Sequence, residues 1–294
     1  MCLIAFAINA SAQWPLIIAS NRDEFLNRPA LPLARWQTAS GQDIISGRDL
    51  RGGGTWMGIT PGGRVAFLTN VREAQTQITP LSRGELVTRW LEETCDAGNF
   101  LAALEKDTAA YGGFNLVLGD FQRNAWTWLT NKSADHPSGW HAQALEAGVY
   151  GLSNAGLDTP WPKTTELTRV LAANLEAPKP DALRASLWAA LANRQRAPLE
   201  RLPATGVPLA LEEALSSAFV DIPEHAYGTR CSTLLLASAQ EGHAAAGRWD
   251  VRVEERTHGH EGLAASSTGS ASSATTVSFG LQTPDRARSA FKAP

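Results

Sequence analysis

Cysteine is scarce in this chain of 294 residues: there are three, Cys2, Cys95 and Cys231. An odd number at wide spacing gives neither a disulfide framework nor a structural zinc site. A reducing, cytoplasmic compartment fits that usage best. Runs of Lys or Arg are missing too, and the net charge is −3 with a pI near 6.1. That balance argues against nucleic acid or an acidic membrane surface as partner. No stretch approaches the ~20 apolar residues of a membrane helix, so no integral membrane segment is expected. The apolar start, Leu3–Ala10, is short and has no preceding Lys or Arg, unlike a secretory signal. A phosphate loop is absent as well, because Gly52-Gly53-Gly54 lacks the following helix and Lys. No internal repeat and no Pro/Gly-rich linker divides the chain, which reads as one domain over 1–294.

What is present begins with strands. Leu3–Ile8 and Leu16–Ala19 flank a loop from Asn9 to Pro15 and read as a hairpin. Thr55–Ile59 and Arg64–Thr69 follow around the turn Pro61-Gly62-Gly63. Ser82 with Glu85 forms a capping-box pattern ahead of Leu86, Trp90 and Leu91, and a second helix is predicted over Phe100–Tyr111. Strands resume at Phe114–Leu118, Ala125–Leu129 and Val149–Leu152. Helices open at Pro162 and Asp181, and strands return at Thr233–Ala237, Trp249–Arg256 and Thr276–Gln282. The Gly/Ser/Ala-rich stretch 259–274 has no apolar period and is predicted to be a mobile loop. Short strand–strand links with grouped helices indicate an α+β layering of antiparallel sheets.

Cys2 stands directly before the first strand. Methionine aminopeptidases generally remove Met1 when residue 2 is small, which leaves Cys2 with its thiol and a free α-amine on one residue. The α-amine has an unperturbed pKa of roughly 7.7–8.0, so it is a usable base near neutral pH. A thiol beside its own base needs no His partner to act as a nucleophile. The alternative is an ordinary small hydrophobe opening a buried strand.

Asn21-Arg22-Asp23-Glu24 is the densest polar cluster and closes the second strand. Alternation sends Asn21 and Asp23 one way, Arg22 and Glu24 the other. The hairpin brings this cluster close to Cys2. These four residues after Met-Cys resemble the motif that names the NRDE family, also called the transport-and-Golgi-organisation protein 2 family. The resemblance continues in family order through Gly47-Arg48-Asp49, Gly53–Gly58, Leu68-Thr69-Asn70, Ser82-Arg83-Gly84 and Gly113–Leu116. It ends with Gly151–Asn154, Leu157–Lys163 and Tyr227–Thr233, and the tail beyond Arg256 is less family-like.

The resemblance implies an N-terminal-nucleophile hydrolase-like αββα sandwich of two antiparallel sheets. By comparison with the choloylglycine hydrolase and penicillin V acylase group, it implies Cys2 as nucleophile and Asp23 as the group orienting its amine. Asn70 and Asn154 would bind the oxyanion, and Arg22 or Arg230 would supply positive charge. The chain departs from that group at Ser20, where those hydrolases typically carry Arg. Here Arg22 directly precedes Asp23 instead. A β-bulge would bring Arg22 to the same place, whereas extended geometry is expected to turn it away.

The implied activity is Cys2-dependent hydrolysis of a non-peptide amide (C–N) bond in a small molecule, with no cofactor required. The alternative is a non-catalytic protein that binds and traffics haem, acyl-CoA or lipid. None of the six histidines lies in a motif shared with the family, and the ten tryptophans read as packing more than as a haem slot. His258-Gly259-His260 with Glu261 resembles a metal ligand set but falls at the predicted mobile loop, which offers poor support for ligands. The first expected outcome concerns processing: intact mass of protein expressed in cells should lack Met1. A retained Met1 would leave Cys2 without a free α-amine and remove the nucleophile.

Overall fold

The computed structural model describes residues 3–74, 79–133, 136, 138–177, 179–239, 248–259 and 273–283. Cys2, His260, Glu261 and most of the predicted mobile loop lie outside them. Ser273 and Ala274, assigned to that loop from composition, instead open the last strand. In chain order the strands are β1 (Leu3–Ile8), β2 (Leu16–Phe25), β3 (Ala30–Gln37), β4 (Asp43–Asp49), β5 (Met57–Ile59), β6 (Arg64–Asn70) and β7 (Phe114–Asp120). They continue as β8 (Ala125–Thr130), β9 (His141–Ala144), β10 (Gly148–Leu152), β11 (Asp221–Ile222), β12 (Tyr227–Ala239), β13 (Arg248–Thr257) and β14 (Ser273–Gln282). The α-helices are α1 (Arg83–Glu92), α2 (Ala97–Leu104), α3 (Pro162–Ala173), α4 (Pro180–Leu191) and α5 (Leu209–Ala214).

Two seven-stranded antiparallel sheets result. One runs β10-β1-β2-β12-β13-β14 with β11 on β12, and the other runs β3 through β9 in sequence order. The first strand shows why they stack. Ile4, Phe6 and Ile8 pack between the sheets with Ile18, Phe67 and Val117. Leu3, Ala5 and Ala7 pack on the opposite face against Leu167 and Leu171 of α3 and Leu183 and Leu187 of α4. With both faces covered, the strand reads as an unbroken apolar run rather than an alternation, each fully buried Leu or Ile contributing roughly 1.5–3 kcal/mol. The second sheet does likewise: Ala66, Leu68, Leu116 and Leu118 meet Leu86 and Trp90 of α1 and Phe100 of α2. The layers are helix, sheet, sheet, helix, the αββα sandwich expected. No described helix is long and apolar enough to cross a membrane.

Two local expectations need correcting. Ser82 is the N-cap of α1, but its side chain makes no cap bond. Glu85 does not close the box because its carboxylate accepts the Tyr111 hydroxyl instead. The second helix begins earlier than predicted, at Ala97, because Asp96 caps it by accepting from the Asn99 amide. Its predicted C-terminal half is a 3-10 turn over Glu105–Ala110.

Alternation along β2 decides which polar residues face where. Asn21 is fully buried on the helix side. Its amide donates to the carbonyls of Leu191, at the end of α4, and Ala218, and its oxygen accepts the Ser232 hydroxyl. Asn21 is therefore a bracket between sheet and helix layer. Replacing it with Leu keeps the volume but orphans both carbonyls, each at about 1–3 kcal/mol. Urea denaturation of Asn21→Leu should show a loss of at least about 2 kcal/mol; a loss within error would mean the bracket is idle.

Candidate active site

The site is built where β2 runs past the apolar interlayer. Leu3 lies opposite Asn21, and the pairing of β1 with β2 runs back from there through Ile8 opposite Leu16. On the other flank of β1, Ile4 lies opposite Leu152 of β10. Arg22 points between the sheets, as Ser20 does, whose hydroxyl sits 3.9 Å from the Met57 sulfur of the facing sheet. Extended geometry was expected to turn Arg22 away from the place where related hydrolases carry Arg. It does not, because a period of two returns Arg22 to Ser20's face, one pleat further along. A bulge does exist, but on the partner strand: the register slips between Thr229 and Cys231 of β12.

Arg22 reaches across to the second sheet. Its Nη2 is 3.2 Å from Asp49 Oδ2 at the end of β4, with the side chains 4% and 11% exposed. Its guanidinium carbon lies 4.3 Å from the Trp56 ring centroid, and Glu24 Oε2 is 3.7 Å away. Arg28 donates its Nε–H to the same Asp49 oxygen at 2.6 Å, while the Arg51 and Gly52 amides donate to Asp49 Oδ1. Burial pushes the Asp49 carboxyl up, but the Gly52 amide and the Arg28 and Arg22 charges outweigh it and hold it below its ordinary value. Asp49, Arg28 and Trp56 were not singled out as site residues from sequence. Asp49 and Trp56 do fall inside the quoted Gly47-Arg48-Asp49 and Gly53–Gly58 segments.

These groups wall a cavity of about 310 Å3 that Asn70 and the Ser82-Arg83-Gly84 turn complete. The glycines are needed for close approach. A Cβ on Gly54 would lie 2.4 Å from the Gly84 carbonyl carbon, and Gly53 has φ +75°. The Thr55 amide then donates to the Gly84 carbonyl and fixes the rim.

The other expected residues sit around this cavity in different ways. Asp23, on the helix side of β2, accepts the Thr229 hydroxyl at 2.7 Å. The Asn154 amide donates to the Asn70 carbonyl at 2.8 Å, and the Asn154 carbonyl accepts the Arg72 N–H. Arg230 is the extra residue of the β12 bulge, and its Nη1 donates to the carbonyls of Phe25, Leu26 and Arg28. Arg22 and Asn70 therefore line the cavity, Asn154 braces Asn70, and Arg230 holds the chain that carries Arg28. His258 Nε2 is 2.8 Å from the Ser232 hydroxyl, and its ring packs on Phe219. Among the described residues, no group of three or more His, Cys, Asp or Glu side chains is placed to hold a metal ion. Cys231 is buried, and burial with the neighbouring Glu255 raises its thiol well above the ordinary value.

The Asp49 charge has a pH consequence. Its folded value is lowered, so the stability it contributes is complete above the unfolded value of roughly 3.9 and is lost as pH falls through the folded value. Asp49→Asn removes the nearer counter-charge of buried Arg22, leaving Glu24 at 3.7 Å, and should cost about 3 kcal/mol at pH 7 by urea denaturation. The gap to wild type should narrow at pH 3. A gap that does not change with pH would remove the charge pair as its cause.

Comparison with known proteins places the chain among relatives. A family model described as Transport and Golgi organisation 2 matches residues 1–250. A Transport and Golgi organization protein 2 homolog from Bos taurus is 33% identical over 258 residues, covering 83% of this chain and 90% of the bovine protein. The Homo sapiens homolog is 32% identical over 257 residues, with the same shares of 83% and 90%. Among solved structures, a Caenorhabditis elegans N-acylethanolamine-hydrolyzing acid amidase ortholog is similar with a TM-score of 0.48 at 12% identity, covering 80% of this chain and 92% of that one.

Proposed function

This chain belongs to the Transport and Golgi organisation 2 family, and on that premise we propose that it hydrolyses a non-peptide amide bond of a small molecule, with Cys2 as nucleophile. The observation that carries the reading is the pair of registers around β1. Leu3 lies opposite Asn21 and Ile4 opposite Leu152, so Arg22 follows one residue on along β2 and Asn154 two residues on beyond Leu152. Even-numbered residues of β1 pack between the sheets, and Cys2 carries that parity. On this reading a nucleophile at Cys2 would face the Arg22 charge and the Asn70 wall of the 310 Å3 cavity.

The chemistry follows from these placements. The α-amine takes the thiol proton as Cys2 Sγ attacks the amide carbonyl, and Arg22 favours the thiolate. Negative charge develops on the carbonyl oxygen. Asn70 and the second N–H of Asn154, whose first is committed to the Asn70 carbonyl, stabilise it. The C–N bond breaks as the proton passes from the α-amine to the leaving nitrogen, giving a thioester on Cys2. Water, deprotonated by the same amine, releases the acid and returns the thiol. Asp23 orients the amine, and Arg230 acts through the 25–28 turn. No metal or cofactor enters, and the free thiols of Cys95 and Cys231 suit a reducing, cytoplasmic setting.

The test is a screen of N-acyl amides with intact-mass detection, run beside a haem titration read by absorbance. A thioester on Cys2 that turns over, with a kinetic burst and its loss in Cys2→Ser, is the expected result. At pH 7 iodoacetamide should label Cys2 before Cys95 and Cys231, since burial raises both of those thiols. Saturable one-to-one binding of haem or acyl-CoA, with no acyl-enzyme from any probe, would overturn the reading in favour of a carrier.

A further inference from the structure

A second cavity of about 660 Å3 lies on the other side of the Asn70–Asn154 bracket, with Asn154 in its wall. Of its lining the hydrolytic reading uses only Asn154, and its size suits a small organic ligand. Its walls are unusually rich in flat rings. Trp128 of β8 and Trp161, the residue before α3, line it and are 7% and 9% exposed. Both indoles are already fixed by packing, so binding against them costs little side-chain entropy. His141 packs on Trp128 with ring centroids 5.5 Å apart, and His136 stacks on His141 at 4.6 Å with planes 20° apart. Three rings thus line one side, His136 and His141 stacked and Trp128 tilted by 60° to His141. On the other side the Arg72 guanidinium lies 4.6 Å from the Trp161 ring centroid, pinned there by Glu212.

The fixed charges among the described lining residues are Arg72, Lys132 and Asp158. Asp158 Oδ1 accepts the Gly151 amide at 2.7 Å, which turns it to the β10 main chain. Its φ of +55° is a left-handed conformation that a residue other than Gly adopts at some cost, a kind of strain that concentrates at binding sites. Lys132 pairs with Glu73 at 2.7 Å, with both side chains about one-third exposed. An exposed pair of that kind is worth little, about 0–1 kcal/mol, so the ammonium can be recruited by a ligand at small cost. The cavity therefore offers ring faces for a flat body and a cation at its open side.

We propose that this cavity is a binding site for a planar aromatic carboxylate, its rings continuing the His136–His141 stack beside Trp128 and its carboxylate meeting Lys132. The site stands whether Cys2 is catalytic or not. Stacking on aromatic rings gains from a flat π-system and far less from a flexible chain, and the ammonium selects the anion. Decanoate carries the charge without the ring, and 2-naphthol carries the ring without the charge at neutral pH.

Isothermal titration of the full chain with 2-naphthoate, decanoate and 2-naphthol at pH 7 is the test. One-to-one binding of 2-naphthoate, at least tenfold tighter than either comparator, is expected. Lys132→Met should weaken 2-naphthoate about tenfold and leave 2-naphthol unchanged, and it lies at the surface, where folding is not at stake. His141→Leu, checked by its melting curve, should weaken both aromatic probes and spare decanoate. Equal affinity for decanoate would make this an acyl-chain cavity and overturn the proposal. So would 2-naphthoate binding that neither variant changes, or no binding of 2-naphthoate at all.

Discussion

A buried ion pair between the two sheets, Arg22 to Asp49, is the constraint around which this molecule is organised. Most other contacts in the interlayer are apolar and exchangeable, Ile4, Phe6 and Ile18 against Phe67 and Val117, with the Glu255 carboxylate accepting the Leu33 amide as a further polar tie. At the end of β2 a cation and a carboxylate replace them, with side chains 4% and 11% exposed. Burying such ions costs several kcal/mol each, and their attraction returns this only with good geometry and further hydrogen bonds. Asp49 has them, from two main-chain amides on one oxygen and Arg28 and Arg22 on the other. An interaction of this kind adds little net stability; it fixes position. It ties the end of β2 in one sheet to the end of β4 in the other and holds open the polar cavity between them.

The bulge in β12 serves the same end. Opposite an unbroken β2 the extra residue, Arg230, has no ladder partner, and its guanidinium gathers the carbonyls of Phe25, Leu26 and Arg28. Those three carbonyls belong to the turn that leaves β2. With the turn clamped, Arg28 returns toward Asp49 rather than to solvent. Burial and the Arg22 charge lower Arg230 from its ordinary value, yet guanidinium stays protonated throughout the physiological range. Arg230 thus acts on the cavity through main chain, a role that the sequence does not reveal because the donor set of Arg is the same for a carboxylate and for three carbonyls.

What could be read beforehand divides along physical lines. The β1–β2 hairpin was legible because both strands are covered on both faces and turn residues separate them. The helix α3 was legible because Pro162 opens it, and α4 was placed from Asp181, one residue after the Pro180 that starts it. β3 was not, since Pro32 sits inside it; an edge strand tolerates that, and β3 is the edge of its sheet. α2 was misplaced because its cap, Asp96, stands apart from the apolar residues that drew attention. Within the site, the split of Asn21 and Asp23 from Arg22 and Glu24 followed from alternation alone. Asp49 was hidden because its partner lies in another sheet, and no local pattern in one sequence encodes a contact between layers. Asn70 and Asn154 were singled out through the resemblance, while the hydrogen bond that joins them required the fold.

That hydrogen bond links two chambers of opposite character. Asn154 holds the end of β6 through the Asn70 carbonyl on one side and takes the Arg72 amide on the other. Arg72 in turn lies against Trp161 and Glu212 in the larger, ring-lined chamber. Asn115 reinforces the wall from β7 by donating to the Ala155 carbonyl and the Thr69 hydroxyl. A shift of Arg72 on filling the larger chamber would therefore be felt at Asn70 through two hydrogen bonds and no flexible loop. The smaller chamber is set by charges drawn from both sheets, the larger by rings fixed in packing. A wall in which the Asn154 and Asn115 side chains hold the main-chain carbonyls of Asn70 and Ala155 is stiff. Local rigidity of that kind is what the proposed hydrolysis would require at the β1–β2–β10 junction, since a nucleophile misplaced by about 1 Å loses much of its advantage.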